Sequence, residues 1–179
     1  MNTLHITLAT AHSGILVTIS AKDHIMSDKL VSILNDLVET SKDGEKGFNT
    51  AAEDTKSSEL KATFLRRAQD CATGAADLQR LVAGLGGKPE EGGTVAGAVH
   101  RGWVTLKSAV SGRTDLAILE ECERGEDVAK ASYAKALKAT MPEDIRLVVQ
   151  RQYDGVLRNH AQIRDLRNQY RAKQEVSKV

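Results

Sequence analysis

Glu126 is the residue whose type and position first demand a chemical explanation. In the stretch AILEECERGEDVAKASYAKAL, residues 117–137, a helical reading sets Leu119, Cys122, Glu126, Ala129, Tyr133 and Ala136 along one stripe, at alternating three- and four-residue spacings. A carboxylate on that apolar face must take up a proton or find a partner. His160 is the nearest candidate partner: Glu126 lies about fifteen residues before the reversal at Thr140-Met141 and His160 about nineteen after it, an offset of about one helical turn. Glu45, beside Ser41 and Phe48, can join them. These three residues would hold a metal, or act as a proton-accepting group, if a site existed. The plainer reading, which the residues favour, is a buried Glu126–His160 hydrogen bond that fixes helix register; an exposed His160 is the third.

Nothing else in the chain offers chemistry at a defensible spacing. Cys71 and Cys122 sit on apolar stripes as small core residues, without the cationic neighbours a reactive thiolate needs. Asp43-Gly44-Glu45-Lys46 has neither the alternating ligands of a calcium loop nor a phosphate-cradling glycine pattern, and reads as helix surface flanking a close contact. Trp103 and His100, one turn apart, read as a packing pair. The basic residues from Arg158 to Lys173 read as a solvated face. The expectation is a protein that is not an enzyme, with no catalytic residues, no cofactor and no bound metal.

The elements that would position Glu126 follow from composition and periodicity. The chain has 179 residues, 25 Lys plus Arg against 24 Asp plus Glu, and only 3% aromatic residues and two prolines. Balanced charge excludes the field that draws in nucleic acid, and the abundance of helix formers with so few aromatics points to an all-α fold. Two distant cysteines suggest neither a zinc site nor a disulfide framework and fit a reducing cytoplasm. Residues 1–25 lack the pattern of a signal peptide or a membrane span. They read as a weakly ordered extension, arising from an upstream start in the reading frame, with the helical domain over 26–174 and a frayed end at 175–179.

Helix one is expected from a Ser27-Asp28 cap to about Ala52, its inner face turning small and polar at Ser41, Gly44 and Gly47, where something must approach closely. Helix two runs from Ser57-Ser58 to Leu85 and stops at Gly86-Gly87-Lys88-Pro89. A shorter helix covers Thr94 to Val110. Helix three covers Thr114 to Ala139, and helix four runs from Pro142 to Lys173 through Ile145, Val149, Gln152, Val156, His160, Ile163 and Tyr170. One short helix between two long pairs can return the chain along the bundle. That gives two antiparallel hairpins joined by a helical crossover, the ferritin-like arrangement; the alternative is one long kinked helix from Thr94 through helix three. Phe48, Trp103 or Tyr170 could be buried against a partner, so a homodimer is the expected assembly, with no membrane and no nucleic acid.

The strings LNDLVETSKDGEKGFNTAAED, SSELKATFLRRAQ, ADLQRLVAGLGGKPEEGGTVAGAVHRGWVTLKSAVSG and ECERGEDVAKASYAKAL together resemble a bacterial family of small ferritin-like four-helix bundles, described mainly as a domain of unknown function. The resemblance covers Asp28 to Arg167. It implies a cytoplasmic ferritin-like bundle with a place in stress physiology, and no established reaction. A carboxylate-bridged di-iron site takes a Glu from each of two helices and a Glu-x-x-His from each of the others. This chain has no Glu-x-x-His: Leu157 precedes His160 by three, and Gly97 precedes His100 by three.

Overall fold

The computed structural model describes residues 21–92 and 114–176. They form four helices, α1 (Ala21–Asp54), α2 (Ser58–Gly84), α3 (Asp115–Ala136) and α4 (Glu143–Val176), with no strand among the described residues. The predicted crossover helix over 94–110, with Trp103 and His100, lies outside them, as do residues 1–20 of the N-terminal extension.

Each helix boundary has a local cause. Ser57 caps α2, its Oγ accepting from the Leu60 N–H at 3.3 Å. The helix ends at Gly84 with Leu85 as its cap, followed by Gly86, whose φ of 77° is left-handed, while the Gly87 N–H donates to the Val82 carbonyl at 3.0 Å. Gly87 has a second reason to lack a side chain: an added Cβ would lie 2.6 Å from Val31 Cγ1. Thr114 caps α3 from an extended backbone (φ −79°, ψ 151°), its Oγ1 accepting from the Ala117 N–H. The alternative of one long kinked helix from Thr94 through helix three falls mostly on residues 94–113, outside the described residues. At the next reversal, Arg146 donates to the carbonyls of Leu137 (2.9 Å) and Ala139 (2.8 Å), satisfying the open end of α3.

The start of α1 differs from expectation. Ser27 and Asp28 lie inside the helix, which is already formed at Ala21, so the predicted domain boundary at Met26 falls within a continuous element. No Gly or Pro interrupts residues 21–28, so the turn propagates past the cap residues, and Asp28 faces His24 one turn back at 3.7 Å.

Contacts between helices fix the topology. Ser41 of α1 meets Tyr133 of α3, and Thr55 just beyond α1 donates to Asp115 at the start of α3 (2.6 Å), so α1 and α3 run antiparallel. Gly74 meets Gln152 and Arg67 meets Gln162, so α2 and α4 do as well. With the α1–α2 and α3–α4 hairpins, α2 and α3 therefore run the same way. The chain leaves α2 at one end of the bundle and enters α3 at the other, the ferritin-like order. Asn35 holds the exit, donating to the Lys88 carbonyl and accepting from the Glu90 N–H, both at 3.0 Å.

The interior is two apolar clusters separated by a polar layer. One gathers Leu30, Leu34, Leu37, Leu78, Val82, Ile145 and Val149; the other gathers Phe48, Ala51, Leu60, Phe64, Ile118, Leu119 and Ile163. Phe48 is 1% exposed, filled in by this chain's own Phe64 and so not available to a partner. Tyr170 is half-buried, with Lys173 Nζ 5.2 Å from its ring.

Candidate functional site

Where the two clusters part, the four helices turn polar or small side chains inward around a cavity of about 320 Å³. α1 supplies Ser41 and Gly44, α2 Arg67, Cys71 and Gly74, α3 Glu126 and Tyr133, and α4 Gln152 and Asn159. α1–α2, α1–α3 and α3–α4 pack along their lengths, whereas α2 and α4 touch sparsely. Their facing residues Gly74 and Gly155 have no Cβ, and the exposed Asp70 and Arg158 also line the cavity. The cavity accordingly opens at the α2–α4 seam.

One hydrogen-bonded chain crosses all four helices here. The Ser41 hydroxyl donates to Tyr133 Oη (3.1 Å), which donates to Gln152 Oε1 (2.8 Å), whose Nε2 donates to the Gly74 carbonyl (3.1 Å). Burial pushes the Tyr133 hydroxyl well above the usual phenol range, against the opposing effect of Ser41. Tyr133→Phe would strand Gln152 Oε1 and Ser41 in a buried layer. It is expected to cost about 1–3 kcal/mol in urea unfolding, and a variant as stable as the parent would show that the chain does not span the layer.

Gly44 is where the close approach occurs, but to a side chain rather than to a backbone: an added Cβ would sit 3.0 Å from Cys71 Sγ. Cys71 lines the cavity, half-buried. Its thiol is pushed up to about 12, first by burial and then by Glu126 and Asp70, with Arg67 opposing. Cys122 is fully buried and its thiol is raised further by the same two causes, burial and Glu126. Neither is a thiolate at neutral pH.

Glu126 is 4% exposed and lines the cavity, with no hydrogen bond or ion pair among the described residues. Burial raises its carboxyl to about 8; Arg67 opposes the rise and Asp127 adds to it. The acid therefore stands mostly protonated at neutral pH, a neutral donor and acceptor inside the bundle.

The proposed partner is elsewhere. His160 Nε2 lies 2.8 Å from Asp127 Oδ1, at the outer edge of the α3–α4 seam. On α4 the stripe of Gln152, Val156 and Ile163 centres on Asn159. His160, one residue on, is turned by about 100° and points aside. His160–Asp127 instead belongs to a ladder along that seam, with Glu123–Arg167 at 3.0 Å and Glu120–Arg171 at 2.7 Å. Glu45 pairs with Lys42 at 3.1 Å on its own helix and does not reach Glu126. Asp43, read from sequence as surface, is 2% exposed.

Arg67 was not singled out by periodicity, because it flanks the stripe of α2. Its guanidinium reaches Asp70 at 3.2 Å and also Gln162, while its Nε is buried without a partner among the described residues. Ser41, Tyr133 and Gln152 carried the missed signal: a polar residue on each of three inner stripes.

The donor set does not fit a carboxylate-bridged di-iron centre. At this layer the inward residues are Ser41 and Gly44, Cys71 and Gly74, Glu126, and Gln152 and Asn159, one carboxylate where four helices should each give at least one. Among the described residues, no three of His, Cys, Asp and Glu converge on one point. No described helix is long and apolar enough to cross a membrane.

Comparison with solved structures shows the same architecture. A Dps protein from Vibrio cholerae O1, a member of a broad superfamily of ferritin-like diiron-carboxylate proteins, superposes with a TM-score of 0.67 at 13% identity, over 88% of this chain and 99% of that one. A dodecameric thioferritin, the bacterioferritin-related protein of Bacteroides fragilis, gives 0.67 at 14% identity, over 83% and 90%. A variant of Mycobacterium smegmatis Dps1 gives 0.67 at 12% identity, over 82% and 98%. No curated protein matches. The sequence model for a domain of unknown function, DUF2383, matches residues 29–139, more than half of the chain. The chain therefore belongs to the DUF2383 family, and its fold is the ferritin-like four-helix bundle.

Proposed function

We propose that this protein is a non-enzymatic, cytoplasmic ferritin-like bundle that acts through protein contacts and self-association, with a role in stress physiology. The observation that carries the reading is the polar layer itself: the level of the bundle suited to metal ligands holds one carboxyl group, a thiol, a phenol and amides. These residues bind no di-iron cluster, and the Ser41–Tyr133–Gln152 chain serves to register the four helices. Self-association is supported by Leu65, Leu147 and Leu157, which stand 48%, 61% and 39% exposed on the outer faces of α2 and α4. It is also supported by the dodecameric state of the thioferritin with the same fold. The stress role rests on family resemblance alone.

Elemental analysis of protein purified without chelator tests the reading. Iron and manganese well below one atom per chain are expected. Stoichiometric metal would instead favour a metal-dependent oxidative-stress enzyme whose site is completed by residues of a second copy.

A further inference from the structure

The α2–α4 face differs from the other faces of the bundle: its two helices barely touch, and the cavity opens between them. The hydrogen bonds Gly74–Gln152 and Arg67–Gln162 set the register across it. In that register two stripes run side by side at alternating three- and four-residue steps, Asp70, Gly74, Asp77 and Leu81 on α2 and Arg158, Gly155, Arg151 and Val148 on the antiparallel α4. They match residue for residue. Leu81 stands level with Val148, glycine with glycine, and each aspartate with an arginine, to within about half a turn. Toward the start of α2 the signs invert together, with Arg66 on α2 and Asp165 on α4. None of these opposite charges is joined across the seam among the described residues. Asp70 and Asp77 pair with Arg67 and Arg80 on their own helix and Asp165 with the adjacent Arg164, while Arg66, Arg151 and Arg158 make no ion pair among the described residues. Exposed pairs one turn apart on a helix are weak and readily exchanged.

We propose that this face is the docking surface for a second copy of the chain, in a two-fold dimer whose axis runs parallel to the helices. That rotation lays α2 of each copy on α4 of the other at the same level, so the opposite charges meet between copies, twice over. A two-fold axis across the helices would instead lay α2 on α2 and set aspartates against aspartates, so the charge pattern selects one symmetry. The two glycines fit the same arrangement. No atom lies closer than 3.7 Å to a Cβ added at Gly74 or 3.8 Å at Gly155, so packing within the chain does not require glycine at either place, whereas close approach of a second backbone does. α2 spans about 40 Å and two adjacent helices about 20 Å, so the face offers about 800 Å² per copy, the size of a stable interface. Docking also closes the cavities, because each mouth lies on the docked face, and Glu126 is then shut from bulk water on its open side. The inference rests on the reading that the protein self-associates, and names the surface that does it.

Gel filtration with light scattering, on the full chain, tests it. The parent is expected at twice 19.4 kDa, with a dissociation constant that rises about tenfold or more between roughly 0.05 and 0.5 M salt. Reversing one stripe, by Asp70→Lys with Asp77→Lys or by Arg151→Glu with Arg158→Glu, sets like charges together in both halves of the contact and should weaken the dimer about a hundredfold or more. Mixing the two variants should restore a heterodimer to within about tenfold of the parent affinity, as should one chain carrying all four reversals. A cooperative urea transition shows that each variant is folded. Where a two-site variant lacks one, the four-site chain carries the test, a dimer being expected and a monomer contradicting. A parent assembly whose mass is unchanged in both two-site variants overturns the proposal and leaves self-association standing through another face. Folded variants that stay monomeric when mixed overturn it as well. A parent that is monomeric up to roughly 0.5 mM removes self-association itself, and this surface with it.

Discussion

Glu126→Gln is expected to remove a fall in stability that the parent protein suffers between about pH 4.5 and 8. In the unfolded chain this carboxyl loses its proton near the ordinary value of 4.5, whereas in the folded protein burial holds the proton on until about 8. Over that interval the unfolded state binds fewer protons than the native state, so this group's contribution to stability declines as pH rises and levels off above 8. At roughly 1.4 kcal/mol per unit of separation, the decline reaches about 3 kcal/mol by pH 7. Gln copies the shape and neutrality of the protonated acid. Parent and variant should therefore unfold alike in urea at pH 4.5, and the variant should be the more stable by about 3 kcal/mol at pH 7. Leu at the same position should also keep the fold, while Ala, which empties the site, should destabilise it. A difference between parent and Gln variant that stays constant from pH 4.5 to 8 would mean that Glu126 ionises as an exposed carboxyl does.

The second large effect belongs to the apolar cluster on the other side of the cavity. Phe64 is wholly buried, and its ring stacks on that of Phe48 with centroids 6.2 Å apart and an interplanar angle of 28°. Phe64→Ala removes the ring, abandons the pair and leaves a hole in a cluster that also holds Leu60, Ile118 and Ile163, residues from three different helices whose packing resists collapse. A loss of about 3–5 kcal/mol is expected, read as a lower urea midpoint with an unchanged slope. A loss under about 1 kcal/mol would show that the cluster closes over the vacancy, and so that the core is far more plastic than its packing implies.

The sequence already held most of this architecture, because helical periodicity is a local property. Leu60, Phe64, Ala68, Ala75, Leu78 and Val82 recur at steps of three, four or seven residues and are all buried. Glu126 was legible for the same reason: its place on the stripe of Leu119, Cys122 and Tyr133 depends only on its own helix. What could not be read was the meeting of helices. His160 looked inward when its stripe was traced by spacing alone, yet a rotation of one residue puts Asn159 in the cavity and His160 on Asp127. Likewise Cys71 and Gly44 each made sense singly, as a small core residue and a costly helical glycine. Only their contact explains both, since the missing Cβ is what lets the sulfur in. The start of α1 was missed because Ser27 and Asp28 are good caps that the chain does not use: the preceding residues continue the helix without a break.

The polar layer gives the bundle its character. An apolar residue in place of Glu126 would be the cheaper solution for stability at neutral pH, so the acid is kept at a cost of a few kcal/mol. In the ferritin-like architecture, metal binding can offset such a cost, with several carboxylates sharing the charge of the ions. Here a lone acid holds its proton instead, beside a guanidinium that is committed on two sides to Asp70 and Gln162. The layer is thereby neutral enough to be buried.

The side-chain carboxyl carbon of Glu126, followed by NMR in isotopically labelled protein across pH 4 to 10, reads this most directly. A titration centred near pH 8, unaffected by added iron or manganese, is the result expected of a single acid buried without a metal. A midpoint near the ordinary carboxylate value, or a resonance broadened at stoichiometric metal, would contradict it.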